Sequence, residues 1–258
     1  MQPLTLLRNE DQSLIREWVS KETPEVFKGL IPGRYTLTET AAPEGYVSGK
    51  SLTFEVTGTE EKQEVVLENE KITAEFVKTD GMTGEALEGA LLQLIRDAGT
   101  REETVIKEWV SGKEPLSVTG IPAGDYIIRE RNAPVGYALM KDLEIKILPD
   151  QAVQRFSVKN QPIQVEIEKT NGDTGKLLGG ATLQLVRNRD GQLIREWISK
   201  EDAAEAFEKL EAGRYTVREV KAPSGYQKME PQEIEVKETE GIQEFTMKNY
   251  KTRHSGGG

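Results

Sequence analysis

Lysine, glutamate and asparagine recur in this chain at positions where a folded strand would turn them toward an apolar face. Tyr126, Ile128 and Glu130 alternate along one run, so on a strand all three side chains share a face. Tyr35, Leu37 and Glu39 repeat the pattern, as do Tyr215, Val217 and Glu219. Ala74, Phe76 and Lys78 alternate likewise, matched by Val165, Ile167 and Lys169. A third set ends in asparagine: Val65, Leu67, Asn69; Phe156, Val158, Asn160; and Phe245, Met247, Asn249. Glutamate and asparagine are thirty residues apart in every copy, and the lysine-to-glutamate spacing differs by only two between the copies that have both. A carboxylate on an inner face is costly without a partner, and three in register call for a cause. If the lysine and asparagine strands are neighbours, ammonium and carboxamide meet beside the glutamate.

Two chemistries fit that meeting. The first is a satisfied cluster, an ion pair capped by an amide with the lysine stem packed on apolar neighbours. The second is reaction. Burial favours a neutral amine beside a neutral acid, and such an amine can attack the asparagine carbonyl carbon. The carboxyl would polarise the carbonyl oxygen and relay protons while ammonia leaves, giving a Lys–Asn isopeptide bond. Contact enforced by the fold would supply much of the acceleration.

The elements that must position these residues are written as repeats. Ile15-Arg-Glu-Trp18, Ile106-Lys-Glu-Trp109 and Ile194-Arg-Glu-Trp197 recur about ninety residues apart, a period suited to tandem domains. A centre of the form Gly-x-Tyr-x-x-x-Glu-x-x-Ala-Pro-x-Gly-Tyr appears from Gly33, Gly124 and Gly213. Short alternating runs between Gly, Asn, Asp and Pro turns predict an all-β fold of tandem antiparallel β-sandwiches. Lys200 to Lys209, rich in alanine and glutamate, suits a helical turn. The expected units are residues 1–70, 71–161 and 162–250, followed by a flexible tail over 251–258. Met1 to Asn9 aligns with Gly180 to Asn188, so the first unit is expected to lack its lysine-bearing strand and the chain to begin in mid-domain. The joints Asn69 to Ile72 and Asn160 to Ile163 are very short, which favours an extended rod.

Composition narrows the function. A net charge of −10 argues against nucleic acid and anionic membrane as partners. There is no cysteine, and the sole histidine, His254, sits in the expected tail, so no metal site, cofactor or histidine-based catalysis is indicated. No apolar run has the length of a membrane span, and Met1-Gln-Pro-Leu does not open a signal peptide. Trp18, Trp109 and Trp197 lie beside apolar residues in repeated strands, which favours packing over carbohydrate stacking. The turns at Asp80-Gly and Asn171-Gly-Asp173 lack calcium-loop spacing. No phosphate loop, nucleophile elbow or glycosidase carboxylate pair stands out.

The opening Lys-Thr-(Asp/Asn)-Gly-x-Thr-Gly at Lys78 and Lys169, the centre above and the Lys-Asn ending at Asn160 and Asn249 resemble collagen-adhesin B-type domains. These are the SpaA-like, prealbumin-type domains of Gram-positive surface adhesins and pilins, and the resemblance covers almost the whole chain. It implies intramolecular isopeptide bonds in two triads, Lys78–Glu130–Asn160 and Lys169–Glu219–Asn249, with the glutamate assisting. Glu39 and Asn69 would be an orphan acid and acceptor. The implied role is a structural stalk, not an enzyme on external substrate; the alternative is an adhesive module for a host or matrix protein or glycan. The near-identity of the copies favours the stalk. Expected partners are further domains of a parent surface protein and a host extracellular-matrix protein, the isolated fragment being monomeric. Neither a Leu-Pro-x-Thr-Gly sorting signal nor an anchor is seen, so a cell-wall or surface location would be reached as an internal piece of a longer protein.

Overall fold

The structure is a computed structural model that describes residues 1–253; most of the expected tail, with His254, lies outside them. Among the described residues all regular structure is strand. The first unit holds β1 (Pro3–Arg8), β2 (Ser13–Val19), β3 (Gly33–Glu39) and β4 (Ser51–Val56). The second holds β5 (Thr73–Asp80), β6 (Leu91–Arg96), β7 (Thr104–Val110), β8 (Leu116–Thr119), β9 (Gly124–Asn132), β10 (Leu143–Ile147) and β11 (Val153–Asn160). The third repeats it with β12 (Gln164–Asn171), β13 (Thr182–Arg187), β14 (Gln192–Ile198), β15 (Glu205–Glu208), β16 (Gly213–Lys221), β17 (Gln232–Val236) and β18 (Ile242–Asn249).

Each complete unit is a sandwich of a four-stranded sheet, order β10-β9-β6-β7 or β14-β13-β16-β17, and a three-stranded one, β11-β5-β8 or β15-β12-β18. Pairing is antiparallel with one exception in each unit. First and last strands lie side by side in parallel, Lys78 opposite Val158 and Lys169 opposite Met247. Alternation set by the sequence fills the space between sheets: Phe76, Leu92, Leu94, Ile128 and Val158 in the second unit, Val165, Ile167, Leu185, Val217 and Met247 in the third. The tyrosine of each Gly-x-Tyr is buried, with its hydroxyl donating to the carbonyl four residues earlier at 2.6–2.7 Å. The tryptophans pack edge-on or tilted on phenylalanines of their own units, Trp18 on Phe27, Trp109 on Phe76 and Trp197 on Phe207.

Two local expectations fail. Lys200 to Lys209 is not helical; its second half is β15, because the exposed flank of β12 offers a ladder that Glu205 to Glu208 completes. Ala/Glu propensity is small beside that pairing. Val65 to Asn69 forms no strand, although its counterparts β11 and β18 do. Those strands lean on β5 and β12, and no strand runs beside Val65 to Asn69. The first unit therefore consists of one sheet, order β2-β1-β3-β4.

The Ala-Pro-x-Gly-Tyr turns join the units. In each, the tyrosine N–H donates to the proline carbonyl and the glycine takes φ near +85° (84°, 86° and 83° at Gly45, Gly136 and Gly225), the geometry of a type II turn. The following linker then pairs back, Ile72 N–H donating to Gly45 and Ile163 N–H to Gly136, both at 2.9 Å. Both junctions also share a direct bond between units, Ser48 N–H to the Pro149 carbonyl at 2.8 Å and Leu139 N–H to that of Glu238 at 3.2 Å. A Cβ on Gly136 would sit 2.7 Å from the Lys209 carbonyl oxygen. Glycine is thus required there twice, for its φ and for the approach of the next unit.

Two outcomes follow from this packing. In hydrogen exchange, amides of residues 57–71 should lose protection first, ahead of β11 and β18, and the first unit should open before the others; equal protection would contradict the single-sheet description. Gly136→Ala should disturb the orientation of the third unit on the second, read by residual dipolar couplings. Gly225→Ala, with the same φ but no atom within 4 Å, should show only the strain of about 1–2 kcal/mol.

Candidate functional site

The site in each complete unit is built from four pieces of chain. Strand β5 carries Lys78 at the end of its inward row, beside β11, which carries Asn160. Strand β9 carries Glu130 opposite Leu92, and the register slips between Leu91 and Leu92, so Arg131 bulges just beyond the glutamate. The third unit has the same slip beside Glu219. Bulges of this kind re-aim a side chain, and here they fall next to a glutamate buried in the core. The fourth piece is the segment that follows the Gly-Tyr turn, with Ala138 and Met140 in one unit and Gln227 and Met229 in the other.

The sequence-derived triads come together in both complete units. Lys78 Nζ lies 3.3 Å from Glu130 Oε1, and Lys169 Nζ 3.4 Å from Glu219 Oε1, with these side chains essentially closed to solvent. Asn160 Nδ2 donates to Glu130 Oε2 at 2.9 Å and to the Ala138 carbonyl at 2.7 Å. Asn249 Nδ2 does the same to Glu219 Oε2 at 3.0 Å and to the Gln227 carbonyl at 2.6 Å. Burial holds both lysine amines below their ordinary value, against the opposing pull of the glutamates.

The amide orientation differs from the one expected from sequence. Two acceptors, carboxylate and main-chain carbonyl, turn the nitrogen inward, so the carboxyl meets Nδ2 and not Oδ1. The Oδ1 atoms of Asn160 and Asn249 are buried without a hydrogen-bond partner. One carboxylate therefore spans amine and amide, Oε1 on Nζ and Oε2 on Nδ2. A carboxyl group so placed can take a proton from one nitrogen and give one to the other.

The first unit holds a remnant. Glu39 is 1% exposed, and Asn69, half-buried, donates to its Oε2 at 2.8 Å with the amide nitrogen turned to it. No lysine faces them; Gln2 contacts the Asn69 amide oxygen at 2.5 Å instead. Burial raises the Glu39 carboxyl above its ordinary value, with the Asn69 bond and Lys50 pulling the other way.

Sequence reasoning missed the methionines. The N–H groups of Met140 and Met229 donate to Glu130 Oε2 and Glu219 Oε2 at 2.8 and 2.7 Å, and their Sδ atoms lie 3.2 and 3.0 Å from the lysine Nζ. A signal was present. Each stands ten residues after its glutamate, and the unit without a lysine has Gly49 at that place. Among the described residues no group of three His, Cys, Asp or Glu side chains is placed to hold a metal, and no helix is long and apolar enough to cross a membrane.

Among solved structures, the chain superposes on the Bacillus anthracis TIE protein with 25% identity and a TM-score of 0.46, covering 97% of this chain and 48% of the other. It thus spans about half the length of that protein. A streptococcal ancillary pilin matches at 23% identity and TM-score 0.34, over 87% of this chain and 77% of the pilin. The Lactobacillus rhamnosus GG shaft pilin SpaA matches at 12% and 0.32, over 72% and 98%. No curated protein sequence matches. The model of the SpaA prealbumin-like fold domain matches three times in succession, over residues 3–71, 73–162 and 163–251. By those three matches, which take in nearly all of the described residues, the chain belongs to the SpaA prealbumin-like domain family.

Proposed function

We propose that the two complete units are self-locking, load-bearing segments of a Gram-positive surface adhesin or pilin stalk. Each is closed by an isopeptide bond, Lys78–Asn160 and Lys169–Asn249, that it makes itself. The observation that carries this reading is the glutamate carboxylate bridging a buried amine and a buried amide, twice, in the same geometry. The chemistry balances within the site. Proton transfer inside the ion pair leaves neutral amine and carboxylic acid. Nζ attacks Cγ, the acid gives its proton to Nδ2 and takes one from the new Nζ–Cγ centre, and the C–Nδ2 bond breaks. Ammonia leaves, an amide forms and the acid is regenerated. The depressed amine pKa raises the reactive fraction, and the rigid sheets hold the partners in contact.

The bond would tie first strand to last, closing a loop of about eighty residues and stabilising by roughly 4 kcal/mol on a disulfide-like entropy scale. In the parallel ladder it would also carry tension that otherwise shears backbone hydrogen bonds. Surface location and assembly with further domains of a parent protein belong to the same proposal, supported by the motif resemblance and the family membership. The first unit, with no lysine at Glu39 and Asn69, takes no part.

Intact mass tests it directly. The chain should be two ammonia molecules lighter than its sequence, and Glu130→Ala should restore one of them. A well-folded chain at full sequence mass would refute the cross-link. Stability against pH gives a second test. With Asn160→Ala and Asn249→Ala both lysine amines stay free, with folded values below the ordinary 10.5. Between the folded value and 10.5 the unfolded chain holds protons that the folded one has shed, so stability rises with pH through that window and is lost as pH falls back. The cross-linked parent, with no free Nζ at either site, should lack this component. Urea midpoints of both chains between neutral and alkaline pH read the difference, and identical profiles would count against the bond.

A further inference from the structure

We propose that Met140 and Met229 are positioning residues for the cross-linking step, each holding the lysine Nζ against the glutamate with a thioether too weak as an acceptor to retain the ammonium. The inference rests on the isopeptide reading above and assigns a role to residues outside both triads.

Each methionine grips both reactants. Its backbone N–H fixes the carboxylate oxygen that faces the amide, at 2.8 Å in one unit and 2.7 Å in the other. Its side chain places Sδ 3.2 Å or 3.0 Å from Nζ. Besides the glutamate, that sulfur is the lysine's polar contact. An ammonium buried in this way has three protons to place and one good acceptor. Water or an amide oxygen at the sulfur position would satisfy the charged form and hold the proton on. A thioether fills the same space, excludes water and binds the N–H weakly.

The three units supply an internal comparison. Where a lysine is present the tenth residue after the glutamate is methionine, and where the lysine is missing it is Gly49. Both methionines are half-buried and pack on the cores of their units, so a packing role must be separated from a polar one.

The test uses the full chain with Met229 alone replaced, leaving the second unit as a control in the same molecule. Chain recovered from inclusion bodies in denaturant is diluted into buffers from pH 6 to pH 10. The Lys78–Asn160 and Lys169–Asn249 cross-linked peptides are then quantified against time by mass spectrometry. Met229→Gln should slow the third unit about tenfold at neutral pH and move its rate profile upward by about one pH unit, recovering at pH 10. That recovery shows that the domain folds. Met229→Leu, which keeps the packing volume, should slow the reaction without an upward shift. Unchanged rates and profiles in both variants would overturn the assignment. So would equal slowing with no shift in either, which is the signature of packing alone. A parent chain that forms neither cross-link would overturn the isopeptide reading itself, and the two failures are therefore distinguishable.

Discussion

A lysine and a glutamate buried together, closed to bulk solvent, set the terms for the rest of each complete unit. Removing such a pair from solvent costs several kcal/mol per ion before their attraction is counted. The arrangement stands only if the remaining polar atoms find partners, and the surrounding structure is organised to supply them. The bulge after Glu130 or Glu219 aims the carboxylate inward. The segment after the Gly-Tyr turn delivers a main-chain N–H to it and a main-chain carbonyl to the asparagine. The parallel strand brings the asparagine itself. What is left without a hydrogen bond, the asparagine Oδ1 atoms and the glutamate Oε1 atoms that meet the lysines only as ion pairs, marks where this accounting stops short of closure.

The first unit shows the same carboxylate under a different constraint. Glu39 is as buried as its counterparts but has only the Coulombic pull of Lys50 and no ammonium paired to it, so burial biases it toward the neutral acid. Gln2 satisfies the Asn69 oxygen that its counterparts leave bare. With the second sheet absent, Asn69 sits on an irregular segment and is only half-buried. An identical pair of residue types thus becomes an amide chain rather than a bridged amine and amide.

Much of this was legible because a strand has a period of two. Alternation alone turned Lys78, Glu130 and Asn160 inward, each on its own strand, and the repeats confirmed the register. Alternation also marked Val65, Leu67 and Asn69 as a strand, and failed, because a strand needs a neighbour and the pattern of one run says nothing about the other. Lys200 to Lys209 failed for the converse reason, an available neighbour overriding local preference. The asparagine orientation was beyond reach, since carbonyls twenty-two residues away decide which end of the amide faces the acid. Met140 and Met229 went unnoticed because methionine in a core attracts no chemical suspicion, although its replacement by Gly49 was visible.

The parallel pairing of first and last strands has a consequence for how copies add up. Both strands run the same way for eight residues, so the chain enters a unit at one end of the ladder and leaves from the other, roughly 26 Å along at ordinary strand rise. An antiparallel pair would have returned the exit to the entrance. Each unit therefore has an inlet and an outlet, and appending another advances the chain instead of folding it back. Gene duplication acting on such a unit changes a count, and the count sets a length.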